Sequence, residues 1–412
     1  MKHSLKFAAA AACVLVTAAP SASAQQIPQL RSEITGSSIG QAPAHIDGAP
    51  VPVPFTPDYI SGYISDISPY KYGIYAEVNR LFPYLRDQRP DVMDSNKAQV
   101  VAINNGAATN PALIKQAQDD AVASSNELLL TLSEGLGQEF GSHFRQALRE
   151  GRLPKTQYLL GNGYLARTGG LASSTFVEKE YFNYRRPHVT MPDQIKRYNP
   201  EGQDLYLNSK SFPSGHTNQA ALVTSLLAYM VPEVAPQLHY RGAVAGNSRI
   251  VLGVHYPLDV IGGRMSGQAA AADRLNDPKM RHAIDQAAQE LRAEIEWRSG
   301  KSIADLVASD TPYATAQKAV AQTTAWNSYD FAPIYHRDAQ MIVPQAAPTL
   351  LAGSFPQLDY AQRASIIAQT ATPAGNPLDW QGEGGSWQRV NLAAASAAKI
   401  RVEGDGSVTV LR

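Results

Sequence analysis

The chain has 412 residues, and its 36 lysine and arginine residues balance 36 aspartate and glutamate residues. This length fits one large domain with extensions, or two domains. The balanced charge argues against a global field that would attract nucleic acid or a strongly anionic surface. Any preference for an anionic ligand must therefore come from a local cluster of side chains.

The first 24 residues have the features of a secretory signal peptide. Lys2 and Lys6 form a basic start, and the apolar stretch from Phe7 to Ala18 is too short to span a bilayer. Ala22-Ser23-Ala24 is a typical cleavage site, so we expect the mature chain to begin at Gln25. An uncleaved anchor is the alternative interpretation.

The single cysteine, Cys13, lies inside this segment, so the mature chain would contain neither disulfides nor a cysteine-based metal site. The longest later apolar stretch, Ala220 to Val231, has the length of a buried helix rather than of a membrane span. We therefore expect a protein with no membrane span in its mature form, located in the periplasm or secreted.

Residues 25–70 are rich in proline, glycine and serine, which predicts an extended N-terminal arm. Helical patterning follows from about residue 71 to residue 325. Residues 326–412 form a C-terminal extension of unknown role. Its last stretch, Ala398 to Leu411, alternates around Gly404-Asp405-Gly406, and this pattern predicts a β-hairpin.

Several helices are expected within residues 71–325. Asn110-Pro111 combines a capping residue with proline at the first helical position. Gly215 to Met230 is apolar around most of its circumference, which indicates a central buried helix. In chain order, the predicted helices cover residues 111–132, 138–150, 171–184, 215–230, 232–245, 250–272 and 278–298.

Lys179 and Arg186 are seven residues apart, a spacing that places both on one face of a helix that Pro187 would end. The arginine side chain presents a planar fork to phosphate oxygens, and the lysine adds a compact charge. A solvated basic helix face is the alternative for this pair alone.

Pro213-Ser214-Gly215-His216 directly precedes the most apolar helix of the chain. Backbone N–H groups and a serine hydroxyl at a helix N-terminus can bind an anion, and glycine allows close approach of the backbone. His216 would lie beside the same pocket. The alternative is an ordinary helix cap with a surface histidine.

Ser248-Arg249 is predicted to separate two helices, and His255 and Asp259 follow with a spacing of four. On a helix this spacing stacks the two side chains, so the carboxylate could accept the Nδ1–H of the imidazole and direct Nε2 outward. A purely structural histidine–aspartate pair is the alternative.

Together these runs, Lys179-x6-Arg186-Pro187, Pro213-Ser214-Gly215-His216 and Ser248-Arg249-x5-His255-x3-Asp259, resemble the motifs of the type 2 phosphatidic acid phosphatase superfamily. That superfamily also contains bacterial class A non-specific acid phosphatases and vanadium-dependent haloperoxidases. The resemblance covers about residues 110–275. It implies an all-α helical bundle with the site at its centre, flanked here by the irregular arm and the small C-terminal extension with some β structure.

The resemblance also implies roles for the site residues. His255 would be the nucleophile, Asp259 would orient it, and His216 would be the general acid and then the base for water. The phosphoryl group would be bound by Lys179, Arg186, Ser214, Gly215 and Arg249. No metal is required by this scheme, since three cations and a helix N-terminus can balance the charge of the transition state.

Within the superfamily, a signal peptide without membrane spans resembles the soluble, secreted branch. We therefore expect an acid phosphatase that hydrolyses small phosphate monoesters without a cofactor through a phosphohistidine intermediate. The alternatives are a haloperoxidase that binds vanadate, a phosphatase specific for a lipid phosphate, and a catalytically silent phosphate-binding protein. The sequence leaves the physiological substrate and the oligomeric state open.

Overall fold

The computed structural model describes residues 43–61, 75–122, 128–161, 166–169, 174–206 and 209–411. The predicted signal peptide at residues 1–24 lies outside the described residues. Of the predicted arm at residues 25–70, residues 43–61 are described, and they are irregular apart from the short helix α1, Pro57–Ser61.

The described residues are mainly helical, which confirms the predicted all-α class. In the first half of the chain the helices are α2 Phe82–Gln88, α3 Pro90–Gly106, α4 Pro111–Val122, α5 Leu128–Leu132, α6 Gln138–Arg149, α7 Pro154–Leu160, α8 Phe176–Phe182 and α9 Pro187–Thr190. The second half contains α10 Gly215–Met230, α11 Ala235–Val251, α12 Pro257–Asn276, α13 Pro278–Ser299, α14 Ile303–Ser309, α15 Ala316–Ser328, α16 Tyr360–Gln369 and α17 Leu392–Ser396.

Short 3-10 helices connect some of these elements, at Tyr75–Asn79, Ala107–Thr109, Ser133–Leu136, Pro232–Val234 and Ala347–Leu351. The strands β1 Lys399–Val402 and β2 Val408–Leu411 pair antiparallel with Lys399 opposite Leu411, so the predicted hairpin is confirmed. The start of α4 at Pro111 is also as predicted, with the Asn110 side chain accepting a hydrogen bond from the amide of Leu113 at 3.1 Å.

Helix α10 lies at the centre of the protein and packs most extensively against α11 and α12. It is buried along nearly its whole length, as its apolar circumference predicts. The helices come very close at Gly263 of α12, where a Cβ atom, if the residue had one, would lie 2.4 Å from the carbonyl oxygen of Ser214. A residue without a side chain is required there, and this contact brings the start of α12 to the N-terminus of α10.

The C-terminal extension packs on the helical core. Trp387, Val390 and Leu392 belong to the same hydrophobic cluster as the core helices. Arg264 of α12 is buried and donates hydrogen bonds to the carbonyl oxygens of Gln388 and Val390, at 2.8 and 3.1 Å. The predicted boundary at residue 325 falls inside α15, so the extension continues directly from a core helix.

The predicted break between two helices at Ser248-Arg249 is wrong. Both residues lie in the last turn of α11, and the chain leaves the helix only at residues 252–256. The predicted helix 171–184 is also too long over its described part, residues 174–184, because α8 begins at Phe176 and ends at Phe182, while residues 171–173 lie outside the described residues. Among the described residues, no helix is both long enough and apolar enough to cross a membrane.

Candidate active site

His255 and Asp259 form a buried hydrogen-bonded pair at the start of α12. Nδ1 of His255 lies 3.1 Å from Oδ2 of Asp259, and the two side chains are 2% and 0% exposed. They do not share a helix as predicted, since His255 lies in the loop after α11 and Asp259 in the first turn of α12. Gly253, with φ 67°, allows the turn that brings His255 back to the helix start.

Asp259 is held from several sides. Its Oδ2 accepts a hydrogen bond from the backbone N–H of Tyr256 at 2.9 Å and another from the Ser211 hydroxyl. Its backbone carbonyl accepts from the amide of Ser214 at 2.9 Å, which ties α12 to the N-terminus of α10. Burial raises the pKa of Asp259 to about 6, although these hydrogen bonds and the nearby cations favour the carboxylate.

Arg186 fixes the tautomer of His255. Its Nη1 lies 3.0 Å from Nε2 of His255, and a guanidinium group can only donate, so Nε2 accepts. The ring proton must then be on Nδ1, where it is donated to Asp259. Nε2 of His255 therefore carries no hydrogen and keeps the lone pair that a nucleophilic imidazole requires, beside a cation that can bind the oxyanion under attack.

Lys179 and Arg186 do not lie on one helix, so that prediction is wrong. Helix α8 carries Lys179 and is followed by Asn183 in the left-handed conformation, while Arg186 is extended and precedes Pro187 at the start of α9. Pro187 begins a short helix rather than ending a longer one. The two cations still approach the same site, because both donate hydrogen bonds to residues 209–211.

Both cations hold the segment just before α10. Nζ of Lys179 donates to the carbonyl oxygens of Lys210 and Ser211, each at 2.9 Å. Nε and Nη2 of Arg186 donate to the carbonyl oxygen and hydroxyl of Ser209, at 2.9 and 2.8 Å. Burial and the charge of Arg186 lower the pKa of Lys179.

Ser214, Gly215 and His216 form the N-terminus of α10. Ser214 is the capping residue, and its hydroxyl oxygen accepts hydrogen bonds from the hydroxyl and the amide of Thr217, at 2.9 and 3.4 Å. Gly215 is the buried first residue of the helix, where amide groups have no partner within the helix. This end of α10 therefore presents positive backbone dipoles next to His255.

Arg249 reaches the site from the last turn of α11 and is fully buried. Its Nη2 donates to the carbonyl oxygen of Ala117 at 3.0 Å, and its Nη1 lies 3.4 Å from the hydroxyl of Tyr206. Its Nε has no hydrogen-bond partner among the described residues. A buried guanidinium group with unused donor capacity is well suited to an anionic ligand.

Tyr206 is the main site residue that the sequence did not reveal. Its hydroxyl lies 3.0 Å from Nε2 of His216, and its ring lies 4.6 Å from the guanidinium carbon of Arg186. Ser209 and Ser211 were missed as well. All three lie between the first two motifs, in a stretch without helical or strand periodicity. Their proximity to Ser214 in the sequence is the one signal that could have indicated them as site residues.

The charges around the two histidines favour the neutral imidazole. Burial lowers the pKa of His216, and the positive charges of Arg249, Arg186 and Lys179 lower it further. The pKa of His255 is lowered by burial and then by the charges of Arg186, Lys179 and Arg249. A bound anion would offset these cations and make protonation of an imidazole easier.

The structure thus brings all eight predicted site residues to one place, from α8, the start of α9, the starts of α10 and α12 with the loop before α12, and the last turn of α11. The arrangement can bind a tetrahedral oxyanion, attack it with one imidazole and exchange a proton through another. Among the described residues, no group of three or more histidine, cysteine, aspartate or glutamate side chains is arranged to hold a metal ion.

Comparison with known proteins gives matches over this part of the chain. Residues 159–277 match the family model of the PAP2 superfamily. A non-specific acid phosphatase of Salmonella typhi is 29% identical over 177 residues, which is 43% of this chain and 66% of that protein. An acid phosphatase of Zymomonas mobilis is 32% identical over 113 residues, or 27% of this chain and 42% of that protein.

A phosphatidylglycerophosphatase B of Bacillus subtilis is 38% identical over 85 residues, covering 18% of this chain and 42% of that protein. The chain therefore spans 66% of the length of the Salmonella typhi protein and 42% of the length of each of the other two relatives. The family match includes all eight predicted site residues, from Lys179 to Asp259.

Proposed function

We propose that this protein, whose residues 159–277 belong to the PAP2 superfamily, is an acid phosphatase that hydrolyses small phosphate monoesters through a phosphohistidine at His255. The observation that carries the proposal is the tautomer of His255. Its Nδ1 is engaged by Asp259, and its Nε2 is free of hydrogen and faces Arg186. The acid phosphatase names of the relatives support the same reaction class.

In the first step, Nε2 of His255 attacks phosphorus, and the bond from phosphorus to the ester oxygen breaks. The phosphoryl oxygens are held by Lys179, Arg186, Ser214, the amide of Gly215 and Arg249. His216, protonated at Nε2, donates that proton to the leaving oxygen. Asp259 stabilises the positive charge that forms on the imidazole of His255, because it accepts the Nδ1–H.

In the second step, water attacks phosphorus and the bond between phosphorus and Nε2 of His255 breaks. His216, now neutral, accepts the proton from water, and inorganic phosphate leaves. Three cations and a helix N-terminus supply the positive charge for both steps, so the proposed reaction does not require a metal ion. We propose a periplasmic or secreted location, which follows from the predicted signal peptide.

A phosphatase specific for a lipid phosphate is a second candidate. It is favoured by the match to the Bacillus subtilis phosphatidylglycerophosphatase B, which covers part of the same region. A haloperoxidase is the third, since a pocket that binds phosphate would also fit vanadate, which His255 would hold. These three activities share the site and differ in the molecule that reaches it.

The test is hydrolysis of p-nitrophenyl phosphate by the mature protein with EDTA present, beside a His255→Ala variant. Hydrolysis that is lost in the variant supports the phosphatase and its nucleophile. A vesicle assay with a phosphorylated glycerolipid tests the lipid activity. Absence of hydrolysis, combined with oxidation of bromide when vanadate and peroxide are added, would replace the proposal with a haloperoxidase.

A further inference from the structure

We propose that the hydroxyl of Tyr206 occupies the position of the leaving-group oxygen, so that Tyr206 competes with the substrate for His216 and Arg249. This inference rests on the proposed function, because it takes His216 as the proton donor to the ester oxygen. It adds a residue that none of the three sequence motifs contains.

The position of the hydroxyl carries the argument. An ester oxygen that leaves during the reaction must lie between the proton donor and the cations that hold the phosphoryl group. The Tyr206 hydroxyl meets both conditions, at 3.0 Å from Nε2 of His216 and 3.4 Å from Nη1 of Arg249. An ester oxygen and this hydroxyl cannot occupy the same space, so one must displace the other.

The backbone of Tyr206 is in the left-handed region, with φ 63°. Residues other than glycine seldom adopt this conformation, and they keep it where surrounding contacts hold them. Here several of the contacts come from the site itself, because the ring packs over Arg186 at 4.6 Å and edge-to-face with His216 at 5.6 Å, while Tyr206 also packs against a hydrophobic cluster that includes Val251. Two of the groups that hold Tyr206 in place are therefore groups that the substrate needs.

The hydrogen bonds also have a direction. The guanidinium group of Arg249 can only donate, so the oxygen of Tyr206 accepts from it and the hydroxyl hydrogen is left for Nε2 of His216. This arrangement requires His216 to be neutral, whereas a proton donor to the leaving group must be protonated. Entry of an ester must therefore break both hydrogen bonds of Tyr206. The free energy of these two hydrogen bonds lowers the affinity of the protein for a ligand.

The test measures binding of inorganic phosphate by titration calorimetry, which does not depend on turnover. Tyr206→Phe keeps the ring over Arg186 and removes the hydroxyl. Phenylalanine lacks both hydrogen bonds that a ligand must break in the free protein, so we expect phosphate to bind at least about 3- to 10-fold more tightly, which corresponds to the net contribution of one neutral hydrogen bond. Tyr198→Phe is the matched control, since the Tyr198 hydroxyl lies on the same segment but donates to the carbonyl oxygen of Asn104 at 3.2 Å.

Phosphate binding that is unchanged or weaker in Tyr206→Phe, with the control equal to the wild type, overturns the inference and leaves the proposed function intact. If neither the wild-type protein nor Tyr206→Phe binds phosphate, the proposed function fails and the inference fails with it, whereas binding by Tyr206→Phe alone supports both. Damage to the fold cannot imitate the expected result, because damage weakens binding. Tyr206→Gly, which suits a positive φ, is the second variant and should also bind phosphate more tightly.

Discussion

Replacing Asp259 with asparagine should slow hydrolysis about tenfold, whereas replacing it with alanine should slow it roughly a hundredfold or more. The asparagine has a defined orientation, because the backbone N–H of Tyr256 lies 2.9 Å from Oδ2 and requires an oxygen there. The amide oxygen can still accept the Nδ1–H of His255 and the hydroxyl of Ser211. The negative charge is lost, and the amide NH2 group takes the place of Oδ1, which is buried and has no hydrogen-bond partner among the described residues.

The magnitudes follow from the hydrogen bonds that change. A hydrogen bond to a charged group contributes about 1.5–3 kcal/mol and a neutral one about 0.5–1.5 kcal/mol, so the asparagine loses roughly 1–1.5 kcal/mol of transition-state stabilisation. Alanine leaves His255, Tyr256 and Ser211 without their common acceptor. The tautomer of His255 is then no longer fixed, and we expect a loss of about 3 kcal/mol or more.

The assay is steady-state hydrolysis of p-nitrophenyl phosphate by both variants, with phosphate binding measured in parallel. Thermal unfolding shows whether each variant is folded. The reasoning is refuted if the asparagine variant is as slow as the alanine variant, or if neither variant differs from the wild type. The first result would mean that charge, rather than orientation, dominates the role of Asp259.

Three further predictions address pH and stability. The lowered pKa of His216 means that its protonated fraction grows as the pH falls, so kcat/KM should rise as the pH falls from about 8 to 6. Below about pH 6 the protonation of Asp259, whose pKa is raised to about 6 by burial, should limit this rise, and a flat profile from about pH 5 to 9 would contradict the role of His216 as the acid. Arg264→Ala should lower the free energy of unfolding by ~2–4 kcal/mol in urea titrations, because buried carbonyl groups of the C-terminal extension lose their hydrogen-bond donor. A change below ~0.5 kcal/mol would show that the packing of the extension does not depend on Arg264. Burial raises the pKa of Glu290 from 4.5 to about 7, so the folded state favours the protonated form. The loss of folding stability that comes from ionising this carboxyl group is therefore absent below about pH 4.5 and complete above about pH 7. Glu290→Gln should therefore stabilise the protein by up to ~2 kcal/mol at about pH 8 but hardly at about pH 4, and the opposite order in urea titrations at the two pH values would refute this sign.

The short-range features of this protein could be read from its sequence. The start of α4 at Pro111 and the buried helix from Gly215 to Met230 were predicted correctly, because proline at the first helical position and an apolar circumference are local patterns. The hairpin near Gly404 was predicted for the same reason. Spacing rules failed where the chain leaves a helix, as they did for Lys179 with Arg186 and for His255 with Asp259.

The sequence by itself determined which residue types meet at the site, because the three motifs contain the imidazoles, the carboxylate and the cations that the chemistry needs. Only the tertiary structure decided how they meet. The close approach at Gly263 joins α10 to α12, and the break between α8 and α9 leaves Arg186 placed against His255. Tyr206 and Ser211 enter the site through contacts between segments distant in sequence. No local pattern encodes these contacts, since their geometry depends on how the helices pack.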